Sequence, residues 1–192
     1  MNLHLNNRKD FKMKQRFIEL LKATNRPGID NLLDFLDRTD FYTAPASTKF
    51  HNSFEGGLLK HSLNVYDALK DLTKGAWSDD TIAIVALLHD ICKVNQYKVD
   101  YRNKKNDEGI WVKEPYYTTD DLMPLGHGEK SVMIISEFIK LTKEELYAIR
   151  WHMGGYEPKE NYSYIAKAYE KYPLAVYTHM ADLMATYITE VR

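Results

Sequence analysis

The stretch Ala86-Leu87-Leu88-His89-Asp90-Ile91-Cys92-Lys93 decides how this chain is read. It closes a run that opens at Ser78, a good N-cap with Asp79 and Asp80 in the first turn, and passes through Ile82, Val85 and Leu88. The spacing predicts an apolar helix reaching about Lys93. A His-Asp pair in such a helix is costly, because an ionised carboxylate is not buried without a partner. A cation supplies that partner. Asp182, in Thr178-His179-Met180-Ala181-Asp182, is a second carboxylate in the most apolar run of the chain. Its same-face neighbours Ala175, Thr178, His179, Ala185 and Thr186 are small or polar and leave room at that face. Two buried carboxylates converging with histidines make a mixed nitrogen and oxygen site, suited to Mn, Fe, Co, Ni or Zn rather than Mg.

Outward from this stretch the pattern is all-α with one small β-hairpin insertion. Helical runs are expected at about Lys9–Thr24, stopped by Asn25-Arg26-Pro27-Gly28, and at Ile29 to about Asp40. Phe41–Gly57 reads as a loop. The helix after Gly56-Gly57 repeats Leu58, His61, Val65, Ala68 and Leu72 at helical spacing, which puts His61 on its apolar face. Between Val94 and Gly126 the helical period is lost. Tyr97–Tyr101 and Ile110–Tyr117 are β-prone around a polar Asn103–Gly109 turn, giving an insertion over about residues 95–117. Helical pattern resumes at Glu129–Leu141. Thr142-Lys143-Glu144-Glu145 is a capping box for a helix ending at Gly154-Gly155, a Tyr-rich helix follows near Tyr162–Tyr172, and Pro173 starts a last helix to Val191, expected to be central and buried. With no linker or repeat, 192 residues read as a single domain.

Composition narrows the class. The 26 basic and 27 acidic side chains give a net charge of -1, which excludes a globally basic nucleic-acid coat while leaving a local basic patch open. A single cysteine, Cys92, excludes an intramolecular disulfide; no leader and no long apolar span are seen, so a cytoplasmic protein with no membrane partner is expected. G-x-S-x-G, H-E-x-x-H and the phosphate-loop spacing are absent, the last despite Gly126-His127-Gly128-Glu129-Lys130-Ser131.

The ordered set His61, His89-Asp90 and Asp182 resembles the H…HD…D signature of the HD superfamily of metal-dependent phosphohydrolases, over about residues 50–189. His127 and His152 look like the two extra histidines of the subset that binds a second metal. The strings Phe54-Glu55-Gly56-Gly57-Leu58-Leu59-Lys60-His61-Ser62 and Leu88–Lys93 are most similar to the HD domain of bacterial 3′→5′ exonucleases, without the OB-fold that precedes it there. The resemblance implies an HD-type helical bundle. It implies one divalent transition metal on His61, His89, Asp90 and Asp182, and another on Asp90, His127 and His152. It also implies hydrolysis of a phosphate ester by a metal-activated water, so Asp90 is catalytic as the bridge between two ions. The expected partner is a small phosphorylated substrate, a nucleotide first and a short single-stranded nucleic acid second; the oligomeric state is left open. The other readings are a phosphodiesterase or exonuclease of the same fold, or a non-catalytic sensor that binds a metal or a nucleotide.

Several residues carry more than one reading. Lys93, one helical turn beyond His89-Asp90, either reaches the phosphate and neutralises developing charge, as a catalytic and substrate-binding group, or is a solvated helix-end lysine. His179 orients Asp182, touches substrate, or makes a core hydrogen bond. Lys98 and Arg102 belong to a hairpin that interleaves cations with aromatics (Tyr97, Tyr101, Trp111, Tyr116 and Tyr117), a composition that contacts bases and phosphates or simply decorates an edge. His51 is read as a loop residue near the pocket mouth, Cys92 as an inert core thiol with no base beside it, and His4 as terminal and without a role.

Overall fold

The computed structural model describes residues 3–190, with side chains from Arg8 onward, so the His4 side chain and Val191 lie outside the described residues. Eight α-helices are described: α1 (Leu3–Ala23), α2 (Ile29–Asp37), α3 (Gly57–Thr73), α4 (Asp79–Leu88), α5 (His127–Ser136), α6 (Lys143–Arg150), α7 (Tyr162–Lys171) and α8 (Pro173–Met184). A two-stranded antiparallel hairpin, β1 (Tyr97–Lys105) and β2 (Trp111–Thr119), is inserted between α4 and α5. The fold is therefore the all-α bundle with a hairpin that the sequence pattern implies.

α4 lies at the centre because it is apolar on every side: Ile82 through Leu88 are all buried. α3 packs against α4 and α8, and α6 packs against α4, α5 and α8. The N-termini form as the sequence dictates. The Ser78 hydroxyl accepts the Thr81 N–H, Thr142 and Glu145 make a complete capping box, and Pro173 is the first residue of α8.

Boundaries shift where distant residues intervene. α4 stops at Leu88 rather than Lys93, and Ile91–Lys93 form a separate 3₁₀ turn. The cause is Ser131 on α5, whose hydroxyl donates to the His89 carbonyl (2.5 Å) and accepts the Cys92 N–H (3.3 Å), so the backbone leaves the helix there. α5 ends at Ser136, not Leu141, and α6 at Arg150, with the chain turning before Gly154. The strands are longer than their β-prone cores. They pair from Tyr97↔Thr119 to Lys105↔Trp111, because the Asn106 side chain closes the turn by accepting the Glu108 and Ile110 N–H groups. The last helix is buried only on one side. Leu174, Ala175, Thr178 and Ala181 face the core, but Met180, Tyr187 and Ile188 are exposed, and Asp182, Leu183, Thr186 and Tyr187 border a cleft instead of another helix.

At the end of the bundle away from that cleft, Glu145 is fully buried and ties three elements together. Its carboxylate pairs with the Arg26 guanidinium and accepts from the Thr81 hydroxyl (3.1 Å), while Arg26 also bonds Asp80 (2.7 Å). Removing the cation leaves a buried carboxylate uncompensated. Arg26→Met should lower the unfolding free energy by about 3 kcal/mol in chemical denaturation without changing how much metal the protein binds.

Candidate metal centre

Five elements deliver side chains to one point. α3 contributes His61, the end of α4 contributes His89 and Asp90, His127 is the first residue of α5, His152 lies in the turn after α6, and Asp182 projects from α8. The meeting of α5 and α6 depends on Gly128. A Cβ there would sit 2.1 Å from the Arg150 carbonyl oxygen, so only glycine lets the start of α5 close on the end of α6 and bring the His127 and His152 rings to 5.1 Å.

Asp90 is the centre of the cluster. Its Oδ1 is 2.7 Å from His127 Nε2 and 3.6 Å from His152 Nε2; its Oδ2 is 3.5 Å from His89 Nε2 and 3.6 Å from His61 Nε2. His61 Nε2 also lies 3.2 Å from Asp182 Oδ1 and 3.3 Å from His89 Nε2. His61, His89, Asp90 and His152 are buried, while His127 and Asp182 are partly exposed towards the cleft. His89 Nδ1 donates to the Ala86 carbonyl (2.8 Å) and His152 Nδ1 to the Ile149 carbonyl (2.7 Å). Each bond fixes the tautomer that leaves Nε2 as a lone pair aimed inward. His152 Nε2 is buried with no hydrogen-bond partner. A buried, unpaired nitrogen beside an ionised carboxylate is a lone pair free to coordinate a cation, and the imidazole and carboxylate donor set fits a divalent transition metal.

The electrostatics carry the same message. Burial would raise the Asp90 carboxyl, but the Lys93 ammonium at 2.6 Å and the surrounding histidines hold it well below the usual carboxylate range. Burial pushes His89 down to about 3, neutral and ready to ligate. Burial also opposes protonation of His61 and His127, yet the carboxylates Asp182 and Glu190 lift His61 to about 9, and Cys92 and Asp90 lift His127 to about 10.

Residues 58–186 match the HD domain. The chain belongs to the HD domain family. A similar protein is the dihydroneopterin 2′,3′-cyclic phosphate phosphodiesterase of Methanocaldococcus jannaschii, 33% identical over a stretch covering 46% of this chain and 37% of that enzyme. The HD domain chain described here thus spans little more than a third of that relative's length in the match. No solved structure matches it significantly.

The remaining sequence expectations divide. Lys93 lines the cleft, its ammonium shared between Asp90 and the Ala46 carbonyl (2.8 Å). His179, Lys98 and Arg102 do not line it. His179 donates to the His152 carbonyl (2.7 Å) and covers Gly154, so it supports the turn that carries His152. Lys98 pairs with Asp120, just after β2, and Arg102 bonds Glu114, its cross-strand partner, at 2.8 Å. Cys92 is buried as expected, but a base does stand beside it: its Sγ is 3.4 Å from His127 Nδ1. Two residues of the site were not singled out as ligand neighbours. Glu190 accepts from His61 Nδ1 (3.2 Å), and the His51 ring packs 4.8 Å from that of His61.

His61 and His127, held protonated at neutral pH in the metal-free protein, must lose those protons to ligate. Metal uptake at pH 7 should therefore release about two protons, and affinity should rise with pH. Calorimetric titration in buffers of different ionisation enthalpy measures the number released.

Proposed function

We propose that this HD domain is a metal-dependent phosphohydrolase that cleaves a phosphate ester of a nucleotide, using two divalent transition-metal ions. The observation that carries the reading is the two-sided engagement of Asp90: one oxygen faces His127 and His152, the other His61 and His89. With Asp182 added on the His61 side, that is a four-ligand and a three-ligand site sharing one carboxylate. Divalent ions held by these residues would supply Lewis acidity, lowering the pKa of a bound water and drawing charge from phosphoryl oxygens.

The chain's own residues then have distinct tasks. Asp90 stays ionised and sets the spacing of the two ligand groups. Lys93, raised above its ordinary pKa because Asp90 and Tyr97 outweigh the cost of burial, stays protonated and presents positive charge to the cleft beside Asp90. There it neutralises charge developing on the phosphoryl oxygens. The buried rings of His89 and His152 form the floor and exclude water from behind the ligands.

The cleft above holds about 1170 Å³, more than a phosphoryl group fills, so the substrate carries a sizeable second part. Phe50, Phe54, Tyr156 and Tyr187 are all exposed at its edge, and the Tyr156 and Tyr187 hydroxyls bond each other at 2.9 Å. Aromatic faces at a phosphate site suit a planar base, which supports the nucleotide reading and admits the end of a short single strand. The phosphodiesterase named above supports a second reading, in which the bond cut is a phosphodiester.

The test is a panel of nucleotides, cyclic phosphodiesters, simple phosphomonoesters and oligonucleotides, assayed with Mn or Co added and with metal content measured on the same sample. Hydrolysis of a nucleotide ester, abolished by Asp90→Asn, is the expected result; bound metal with no substrate turned over leaves a sensor module instead. Lys93→Gln should lower kcat about 100-fold while the metal stoichiometry stays at the parental value.

A further inference from the structure

His89 and His152 sit at helix ends, where the carbonyl three residues back is free to fix the outer ring nitrogen. His61 has no such recourse. It lies inside α3, where backbone carbonyls are engaged in the helix's own ladder, so its Nδ1 needs a side-chain partner. That partner is Glu190, whose two carboxylate oxygens lie 3.2 and 3.3 Å from His61 Nδ1. Glu190 is itself buried, at 7% exposure, and is held by the Asn64 amide, which donates to Oε1 at 2.7 Å from one turn further along α3.

The route by which Glu190 reaches His61 is specific. Asp182, on the same helix, touches the opposite nitrogen of the same ring at 3.2 Å. In an unbroken α-helix a residue eight positions on would point about 80° away from Asp182. After Met184, however, the chain makes a π-helical turn over Ala185–Thr189, and the Glu190 N–H bonds the Ala185 carbonyl at 2.9 Å. A π turn absorbs roughly one extra residue, which rotates Glu190 back to within about 20° of Asp182. One helix can then grip one imidazole from both ends.

We infer that Glu190 is the positioning residue for His61, and that the π turn at 185–189 is the device that delivers it. Glu190 holds the proton on Nδ1 and keeps Nε2 turned towards Asp90 and Asp182. This rests on His61 being a metal ligand, and it is independent of which substrate the site takes.

The experiment measures zinc affinity and stoichiometry, and the imidazole resonances of the zinc-loaded protein labelled with nitrogen-15 at histidine, for the parent, Glu190→Gln and Glu190→Asp. Glu190→Gln should weaken zinc binding 10- to 100-fold with unchanged stoichiometry, and should move the hydrogen-bonded Nδ1–H signal of His61 while leaving those of His89 and His152 in place. Glu190→Asp should recover part of both. A structural role alone would not move one ring signal selectively. Parental affinity and an unmoved His61 signal in Glu190→Gln overturn the assignment, and so does loss of a whole equivalent of zinc, which would make Glu190 a ligand. Should Glu190→Gln fail to fold, Asn64→Ala, which frees the carboxylate, must show the same selective shift with a smaller loss, and its absence overturns the proposal equally. A parent that binds no zinc overturns the metal-centre reading itself.

Discussion

An ionised carboxylate 3% exposed in the middle of a helical bundle is the constraint on which the rest of this structure depends. Asp90 is surrounded by one ammonium and four imidazoles, with its charge divided between two oxygens that face different helices. Every element that reaches it arrives at an angle set by that requirement. α4 has to break after Leu88 so that Asp90 can face inward. α5 has to begin at His127 with glycine beside it, and α8 brings Asp182 Oδ1 to 3.2 Å from His61 Nε2. With the carboxylate replaced by an apolar residue, a tightly packed core would suffice here and nothing would specify five converging polar groups.

What was legible in the sequence is what local periodicity and charge in an apolar run can encode. The placement of His61 on the inner face of α3, the buried His89-Asp90 pair and the inward carboxylate of Asp182 all follow from spacing within a single helix. The stops of the helices do not. α4 ends because a hydroxyl 42 positions from His89 takes its carbonyl, a bond that no window of local sequence contains. Glu190 is hidden for the opposite reason: the period that identifies Asp182 as inward-facing assigns Glu190 to another face, and only the π turn reverses that assignment. The hairpin shows the limit of composition. Its cations and aromatics have the composition of a nucleic-acid surface, but composition does not say which of the cations pair with acids of the hairpin itself. The register sets Arg102 opposite Glu114, with Lys104 also bonded to Glu114 at 2.6 Å, so these cations already have partners within the hairpin.

The site is built with a rigid floor and an unfinished rim. Below, His89, His152 and His61 have their outer nitrogens fixed by two carbonyls and a carboxylate, and Asp90 has no freedom to turn. Above, Phe50 and Tyr187 are largely exposed, and the Ser47–Phe54 segment that carries Phe50 is held chiefly by short-range bonds, such as the Ser47 hydroxyl to the His51 carbonyl at 2.8 Å. Fixed ligands are what water activation requires, because reorganising them at the moment of reaction would cost the rate they provide. A rim of loosely held aromatics is what recognition of a planar group requires, since stacking tolerates displacement within the ring plane.

This division also explains why the fold alone does not name the substrate. The residues that make this chain an HD domain lie in the floor, where α3, α4, α5, α6 and α8 meet. The aromatics at the edge of the cleft lie in the loop before α3, the turn after α6 and the π turn after α8. Among the described residues, none of these aromatics hydrogen-bonds a residue of the cluster; the Tyr156 and Tyr187 hydroxyls bond each other. His51 and Glu190 belong to both rim and floor: each lines the cleft, the His51 ring packs 4.8 Å from that of His61, and Glu190 bonds His61 Nδ1. These two cleft residues thus meet the ligand cluster at a single ring, His61, whose face packs against His51 and whose Nδ1 bonds Glu190.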